Sequence, residues 1–154
     1  MKIAIISDTH DNLTNIKKVV DWLNKEKINL LLHCGDINSQ EATDEIKNNF
    51  KGEVKFVRGN ADHNLKDLPE KIEFEFGGKR ISFTHYPGTA KELAQTAKYD
   101  LVFYGHTHRP WEERTGDCRM INPGEAAGQI YKPTFAIYDT NTDRLELKIL
   151  EKLE

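Results

Sequence analysis

The chain is poor in cysteine: Cys34 and Cys118 are its only two among 154 residues. They form no CxxC pair and are too few for a disulfide framework, so a reducing compartment is expected. Long apolar runs are missing too. The N-terminal run Ile3 to Ile6 stops after four residues at Ser7 and Asp8, too short for a signal peptide or a membrane span, and a cytoplasmic protein with no membrane partner is expected. Positive charge is not in excess. Lys+Arg 22 against Asp+Glu 25 leaves a formal charge of -3 with no Lys/Arg cluster, which argues against a dedicated nucleic-acid surface or capture by anionic lipid. An anionic substrate remains compatible if the positive charge is local, as a bound metal would make it. Internal repeats, low-complexity stretches and linkers are also absent. With 154 residues there is enough chain for one core and too little for two, so residues 1–154 are expected to form one domain.

The apolar pattern describes an α/β protein. Lys2 to Ser7 is a β-branched run, and Asn12 to Glu26 carries Leu13, Ile16, Val19, Val20 and Leu23 at helical period. Ile28 to Asp36 predicts a second buried strand, Ser39 to Phe50 a helix capped by Ser39 or Asn38, and Glu53 to Asn60 a third strand. This order predicts parallel strands with right-handed crossovers. The pattern then changes: Lys71 to His85 folds about Gly77-Gly78 as a hairpin, Thr89 to Ala97 suits a short helix, and YDLVFYG supplies another buried strand. From Trp111 onward mostly strands are expected, around Gly116-Asp117 and around Asn141 to Asp143. The second half reads as antiparallel, so two mixed sheets face to face with helices outside are expected, rather than one doubly wound sheet.

Polar residues gather where the strands end. Asp8 and His10 follow the first strand, Asp36 the second, Asn60 the third, and His85, His106 and His108 later ones. Ligands of open α/β proteins collect beyond the carboxyl ends of strands, so these seven side chains can converge on one edge. Imidazole with carboxylate suits borderline divalent ions such as Mn, Fe, Co, Ni or Zn. The pairs Asp8/His10 and His106/His108, spaced i, i+2, would each point to a common site if extended. Seven ligands exceed one four-coordinate centre with an open position and fit two cations sharing a bridge. Two dications about 3.5 Å apart at an effective dielectric near 20 repel by about 19 kcal/mol, so the bridge must be anionic. Asp36, in the middle of the ligand order, together with a hydroxide would meet that need. The remaining net positive charge would attract phosphate, and the hydroxide could attack phosphorus in line.

The motifs SDTHDN, HCGD, VRGNAD, THYP and GHTH resemble, in order and spacing, those of calcineurin-like metallophosphoesterases; HCGD and the NPGE at Asn122 to Glu125 are similar to the short bacterial and archaeal phosphodiesterase branch. The resemblance spans Met1 to about Tyr138. It implies a four-layer αββα sandwich and a hydrolase, most simply a phosphodiesterase acting on a small phosphate ester. It also implies two divalent metals, manganese being favoured. One would be held by Asp8, His10, Asp36 and His108, the other by Asp36, Asn60, His85 and His106, with Asp36 and Asn60 closest to the chemistry. Two positions depart from the family. Ala61 stands where many members carry a histidine that orients phosphate or protonates the leaving group, and Pro87 where many relatives carry a second histidine. His63 is a candidate auxiliary acid. A non-catalytic scaffold, similar to the retromer subunit that has lost catalytic ligands, and a nuclease of the same family are the alternatives.

Several residues also have plainer readings. His33 reads as a packed histidine bonded to a neighbour, and NPG as a turn passing near the site. Arg58 and Tyr86 suit packing as well as substrate contact. Trp22 and Trp111 read as structural or interfacial, and Trp111 or Tyr131 could form a homodimer face.

Overall fold

Alternating side chains on the strands explain the layers. The computed structural model, which describes all of residues 1–154, contains one sheet from β1 (Lys2–Ile6), β2 (Leu30–His33), β3 (Glu53–Phe56), β9 (Thr134–Asp139) and β10 (Arg144–Ile149) in the order β10-β9-β1-β2-β3. The second sheet has the order β4-β5-β6-β8-β7, from β4 (Lys71–Phe76), β5 (Lys79–Thr84), β6 (Leu101–Phe103), β7 (Trp111–Thr115) and β8 (Cys118–Asn122). Ile3 and Ile5 of β1 and Leu30 and Leu32 of β2 meet Ile81, Phe83, Leu101 and Phe103 of the second sheet. Their neighbours Ala4, Ile6 and Leu31 point the other way, into a core with α1 (Leu13–Lys25) and α2 (Gln40–Asn49). Val102, Tyr104 and Met120 face α3 (Pro87–Gln95) on the far side. The layers are thus helices, sheet, sheet, helix. Strands covered on both faces read as continuous apolar runs, as β1 and β2 do.

The helices begin where local chemistry sets them. Asn12 accepts the Asn15 N–H at 3.0 Å and Ser39 accepts the Ala42 N–H at 3.2 Å, satisfying otherwise orphaned donors. Ile16, Val19, Val20 and Leu23 form the buried stripe of α1, and Trp22 packs edge-on against Phe135.

Two expectations about the second half need correction. It is not simply antiparallel: β6 pairs parallel with both β5 and β8, while β9 and β10 return to the first sheet beside β1. Both sheets are therefore mixed, and three parallel strands in each point their carboxyl ends the same way along their own sheet. The third helix starts at Pro87 rather than Thr89, because proline lacks the N–H that a first helical turn leaves unused; it ends before Ala97, whose φ of 61° breaks the helix. The polar loops at these strand ends build the site.

Candidate metal centre

Each candidate ligand sits just past a strand, and five of the seven have left the extended backbone. Asp8, His10, Asp36, His106 and His108 have φ of 54°, 41°, 61°, 73° and 65°, the left-handed region, which costs about 1–2 kcal/mol per non-glycine residue. The expectation that the i, i+2 pairs share a side by pleating is thus corrected. Asp8 and His10 do meet, whereas His106 and His108 diverge into different clusters.

Hydrogen bonds between loops offset the strain. Asp8 and His10 donate their N–H groups to the carbonyls of Gly35 (2.9 Å) and Asp36 (3.0 Å), and Ala126 and Ala127 donate to Ser7 (3.0 Å) and Asp8 (3.1 Å). Gly105 donates to the His85 carbonyl at 3.1 Å, and the Asn122 amide donates to the Gly105 carbonyl at 3.1 Å and the Thr107 hydroxyl at 2.9 Å. Gly35, with φ of 99°, lies so near Gly59 and His85 that a Cβ would come within 2.8 Å of both. At Gly105 a Cβ would fall 2.0 Å from the Ser7 hydroxyl. Glycine precedes the ligands at both places because another loop occupies the space.

Asp8, His10 and His108 make the first cluster and Asp36, His85 and His106 the second. In the first, His10 Nε2 and His108 Nε2 are 3.3 Å apart, and Asp8 Oδ1 lies 3.2 Å from His108 Nε2 and 3.6 Å from His10 Nε2. Asp8 Oδ2 accepts from Ser7 Oγ and from the His106 N–H, but buried Oδ1 has no hydrogen bond. In the second cluster Asn60 Oδ1 lies 3.0 Å from His85 Nε2 and 3.1 Å from His106 Nδ1, and those nitrogens are 3.2 Å apart. Asp36 Oδ2 lies 3.3 Å from His85 Nε2 of its own cluster and 3.6 Å from His10 Nε2 of the first, while its Oδ1 accepts the Ala61 N–H at 2.8 Å.

These distances test whether the residues suit cations. With metal–ligand bonds of about 2.0–2.2 Å, adjacent donors of a tetrahedral or octahedral shell sit about 2.8–3.6 Å apart. The contacts above fall in that range. An orphaned carboxylate oxygen facing two imidazole nitrogens is a set of converging lone pairs, which a cation satisfies and neutral hydrogen bonding does not.

Electrostatics show the same pressure. Burial works to raise the Asp8 pKa, but His10, His108 and Ser7 overcome it and hold the carboxyl well below its usual range. Asp36 is also lowered, against burial, chiefly by His85. The Asp8 carboxylate raises His10 and His108, and His85 is raised by Asp36 and Asp8 despite its burial. His33 goes the other way: burial lowers it to about 4, leaving a neutral ring. It accepts the Gly35 N–H at Nδ1 (3.1 Å), which leaves Nε2–H to face Thr9 Oγ1 at 3.0 Å, as its reading as a bonded packed histidine anticipated.

Supporting residues were largely invisible in the motifs. Buried Asp62 accepts four backbone N–H groups, from Asp36 (2.9 Å) and Gly59 (2.7 Å) on one oxygen and from Ile37 and Asn38 (2.8 Å each) on the other. It ties the Asp36 loop to the Asn60 loop. The Cys34 carbonyl, 2.7 Å from His85 Nδ1, can only accept, so the proton sits on Nδ1 and Nε2 offers its lone pair to the cluster. The NPGE segment is more than a passing turn: Asn122 braces the His106 loop, and buried Glu125 lies 3.3 Å from His108 Nδ1. Among the remaining sequence candidates, Tyr86 meets His85 edge-on and His106 at a tilt, with ring centroids 5.1 and 5.6 Å away, and Arg58 Nε donates to the Asp62 carbonyl at 3.2 Å. His63 is solvent-exposed on the turn after Ala61.

Two clusters of candidate metal ligands thus lie at the strand ends of paired mixed sheets, an arrangement compatible with metal-dependent hydrolysis. The model of the calcineurin-like phosphoesterase superfamily domain matches residues 1–143, and the chain belongs to that superfamily. It is accordingly a metal-dependent phosphoesterase, a hydrolase. It is 35% identical to the phosphodiesterase MJ0936 of Methanocaldococcus jannaschii, over 98% of this chain and 100% of that protein. The solved structure of an archaeal phosphodiesterase superposes with a TM-score of 0.89 at 30% identity, covering 97% of this chain and 99% of that one. Vps29 of Chaetomium thermophilum has a TM-score of 0.79 at 20% identity over 97% and 94% of the two chains, a likeness of fold alone. No helix is long and apolar enough to cross a membrane.

Proposed function

We propose that the two clusters hold two divalent cations and that the protein uses them to hydrolyse a small phosphodiester. Asp8, His10, His108 and Asp36 would hold one cation, and Asp36, Asn60, His85 and His106 the other. The observation that carries this reading is Asp36 Oδ2, within 3.6 Å of His10 Nε2 and 3.3 Å of His85 Nε2, a single oxygen common to both donor sets. Bound there, the cations supply Lewis acidity toward phosphoryl oxygens and a nucleophile drawn from water near neutral pH. The chain does the rest. His85 keeps its proton on Nδ1 against the Cys34 carbonyl, Asp62 holds the backbone of Asp36, and Asn60 offers a neutral oxygen where substrate enters. The donor set, which mixes carboxylate, amide and imidazole, suits Mn, Fe, Co, Ni or Zn, and manganese is the ion we favour among them.

Ala61 places no acid beside Asn60, so alkoxide leaving groups depart slowly while aryl phosphodiesters turn over; acid catalysis is typically worth about 100- to 10,000-fold. His63 is assigned the auxiliary proton-donor role. Its test is the pH–rate profile of parent and His63→Ala, and unchanged acidic and basic limbs would reject it.

Residues 1–154 act as one domain in this reading, since β9 and β10 close the sheet that β1 opens. Free, buried Cys34 and Cys118 support a cytoplasmic setting. Trp111 and Tyr131, 48% and 44% exposed, support a homodimer face that light scattering would check. The scaffold alternative is disfavoured because all seven ligand positions carry donors that converge, and the nuclease alternative because the chain has no Lys/Arg cluster. The deciding experiment is hydrolysis of a panel of mono- and diesters after chelation and after readdition of Mn2+ or Ni2+, with a single-stranded polynucleotide in the panel. Activity on aryl diesters that chelation abolishes and metal restores is expected; no metal-dependent hydrolysis of any ester would overturn the proposal.

A further inference from the structure

We infer that Glu125 is a positioning residue for His108, and that through this pair the first cluster is coupled to the exposed loop at 129–131. The inference rests on the two-cation reading. Glu125 is fully buried, and the ionisable side chain against it is His108, whose Nδ1 lies 3.3 Å from Oε2. The same carboxylate accepts the N–H of Gln129 on Oε1, and those of Ile130 (2.9 Å) and Tyr131 (3.0 Å) on Oε2. His108 Nδ1 is itself buried and makes no aligned hydrogen bond, while Nε2 faces Asp8 Oδ1 at 3.2 Å.

A buried carboxylate held by neutral donors lacks a full counter-charge, and a buried ring nitrogen lacks a partner; a small rotation of the imidazole satisfies both. A cation on Nε2 polarises the ring and makes Nδ1–H a stronger donor to Glu125. In return, the carboxylate raises the basicity of the ligand and fixes its orientation. Because Oε2 also anchors the backbone of Ile130 and Tyr131, order in that loop and metal at His108 must favour one another equally. Ile130 and Tyr131 are 69% and 44% exposed, so the loop shows this state to solvent.

The test compares Mn2+ titration calorimetry of the parent and Glu125→Gln, with the thermal midpoint in EDTA as a fold control. One of the two binding events is expected to weaken by about 10- to 100-fold while the other stays within about twofold. Equal weakening of both events, or of neither, overturns the inference. Hydrogen–deuterium exchange of the parent, read by mass spectrometry, needs no variant and decides the matter if the variant does not fold. Amides 129–131 are expected to exchange more slowly with Mn2+ than without, and exchange indifferent to Mn2+ would overturn the coupling. A parent that takes up no Mn2+ would sink the two-cation reading and this one together, whereas a parent with two sites and an indifferent variant sinks only the pairing.

Discussion

The two ligand clusters use the same kinds of donor but are built from different materials. The first is backed by carboxylates: Asp8 is fully buried, Ser7 and the His106 N–H hold its second oxygen, and Glu125 stands behind His108. The second is backed by neutral groups, the Cys34 carbonyl behind His85 and the Asn60 amide between the two imidazoles, with His106 and Asn60 open to solvent. Asp36 serves both. Besides Asp36, one carboxylate, Asp8, faces the first position with a second, Glu125, behind its ligand His108, whereas none faces the second position, and affinity for a dication follows ligand charge and burial. The first cation should be the resident one and the second the exchangeable one that arrives from the solvent side.

Breaking the shared element should have the largest effect. Asp36→Asn removes the one anionic oxygen common to both sets, and metal-activated hydrolysis should fall by at least about 1,000-fold with both ions weakened, as kinetics and elemental analysis would show. Separating the clusters comes next. Asp8→Asn should leave one ion per chain and little activity, whereas Asn60→Ala should keep the first ion and lose the second, raising the Mn2+ concentration needed for half-maximal rate. Equal loss from both variants would erase the proposed asymmetry. A gentler form of the same contrast is stepwise chelation, in which the second ion should leave first and activity should vanish while about one ion per chain remains.

The smallest effect is on stability, and its sign depends on metal. His10, His85 and His108 have raised pKa values, so in the stripped protein they contribute stability that is complete below the unfolded histidine value of about 6.5 and is lost as pH rises through their higher folded values. Asp8 and Asp36, being lowered, contribute stability above the usual carboxylate range that is lost on acidification through their lower folded values. In EDTA the thermal midpoint should therefore decline from pH 6 to pH 9. With Mn2+ it should rise over the same window, because metal competes with protons for the imidazoles. Parallel slopes in the two series would mean that these histidines are not the ligands.

Much of the fold is legible in the amino-acid sequence. The helix cap at Ser39, one of the two residues expected there, the hairpin at Gly77-Gly78 and the buried runs of β1, β2 and β6 follow from local patterns. The direction of β6 does not, since a strand of three apolar residues between loops carries no mark of its pairing partner. The grouping of ligands was only partly legible. Alternation suggested that His106 and His108 share a site, and left-handed backbone at both turns them apart. Asp62 and Glu125 look like ordinary surface acids in the sequence. What makes them structural is burial among backbone N–H groups donated by other loops, a property no single segment possesses.

Residue chemistry and order alone determined which donors this protein owns, that they fall at strand ends, and that β1, β2 and β6 are covered on both faces. Tertiary structure decided which oxygen is shared, which histidines belong together and which acids hold them. The reason is one of range. Donor type belongs to a side chain, but donor spacing near 3 Å is set between residues as remote as His10 and His108, 98 positions apart, by hydrogen bonds that exist only after the loops have met.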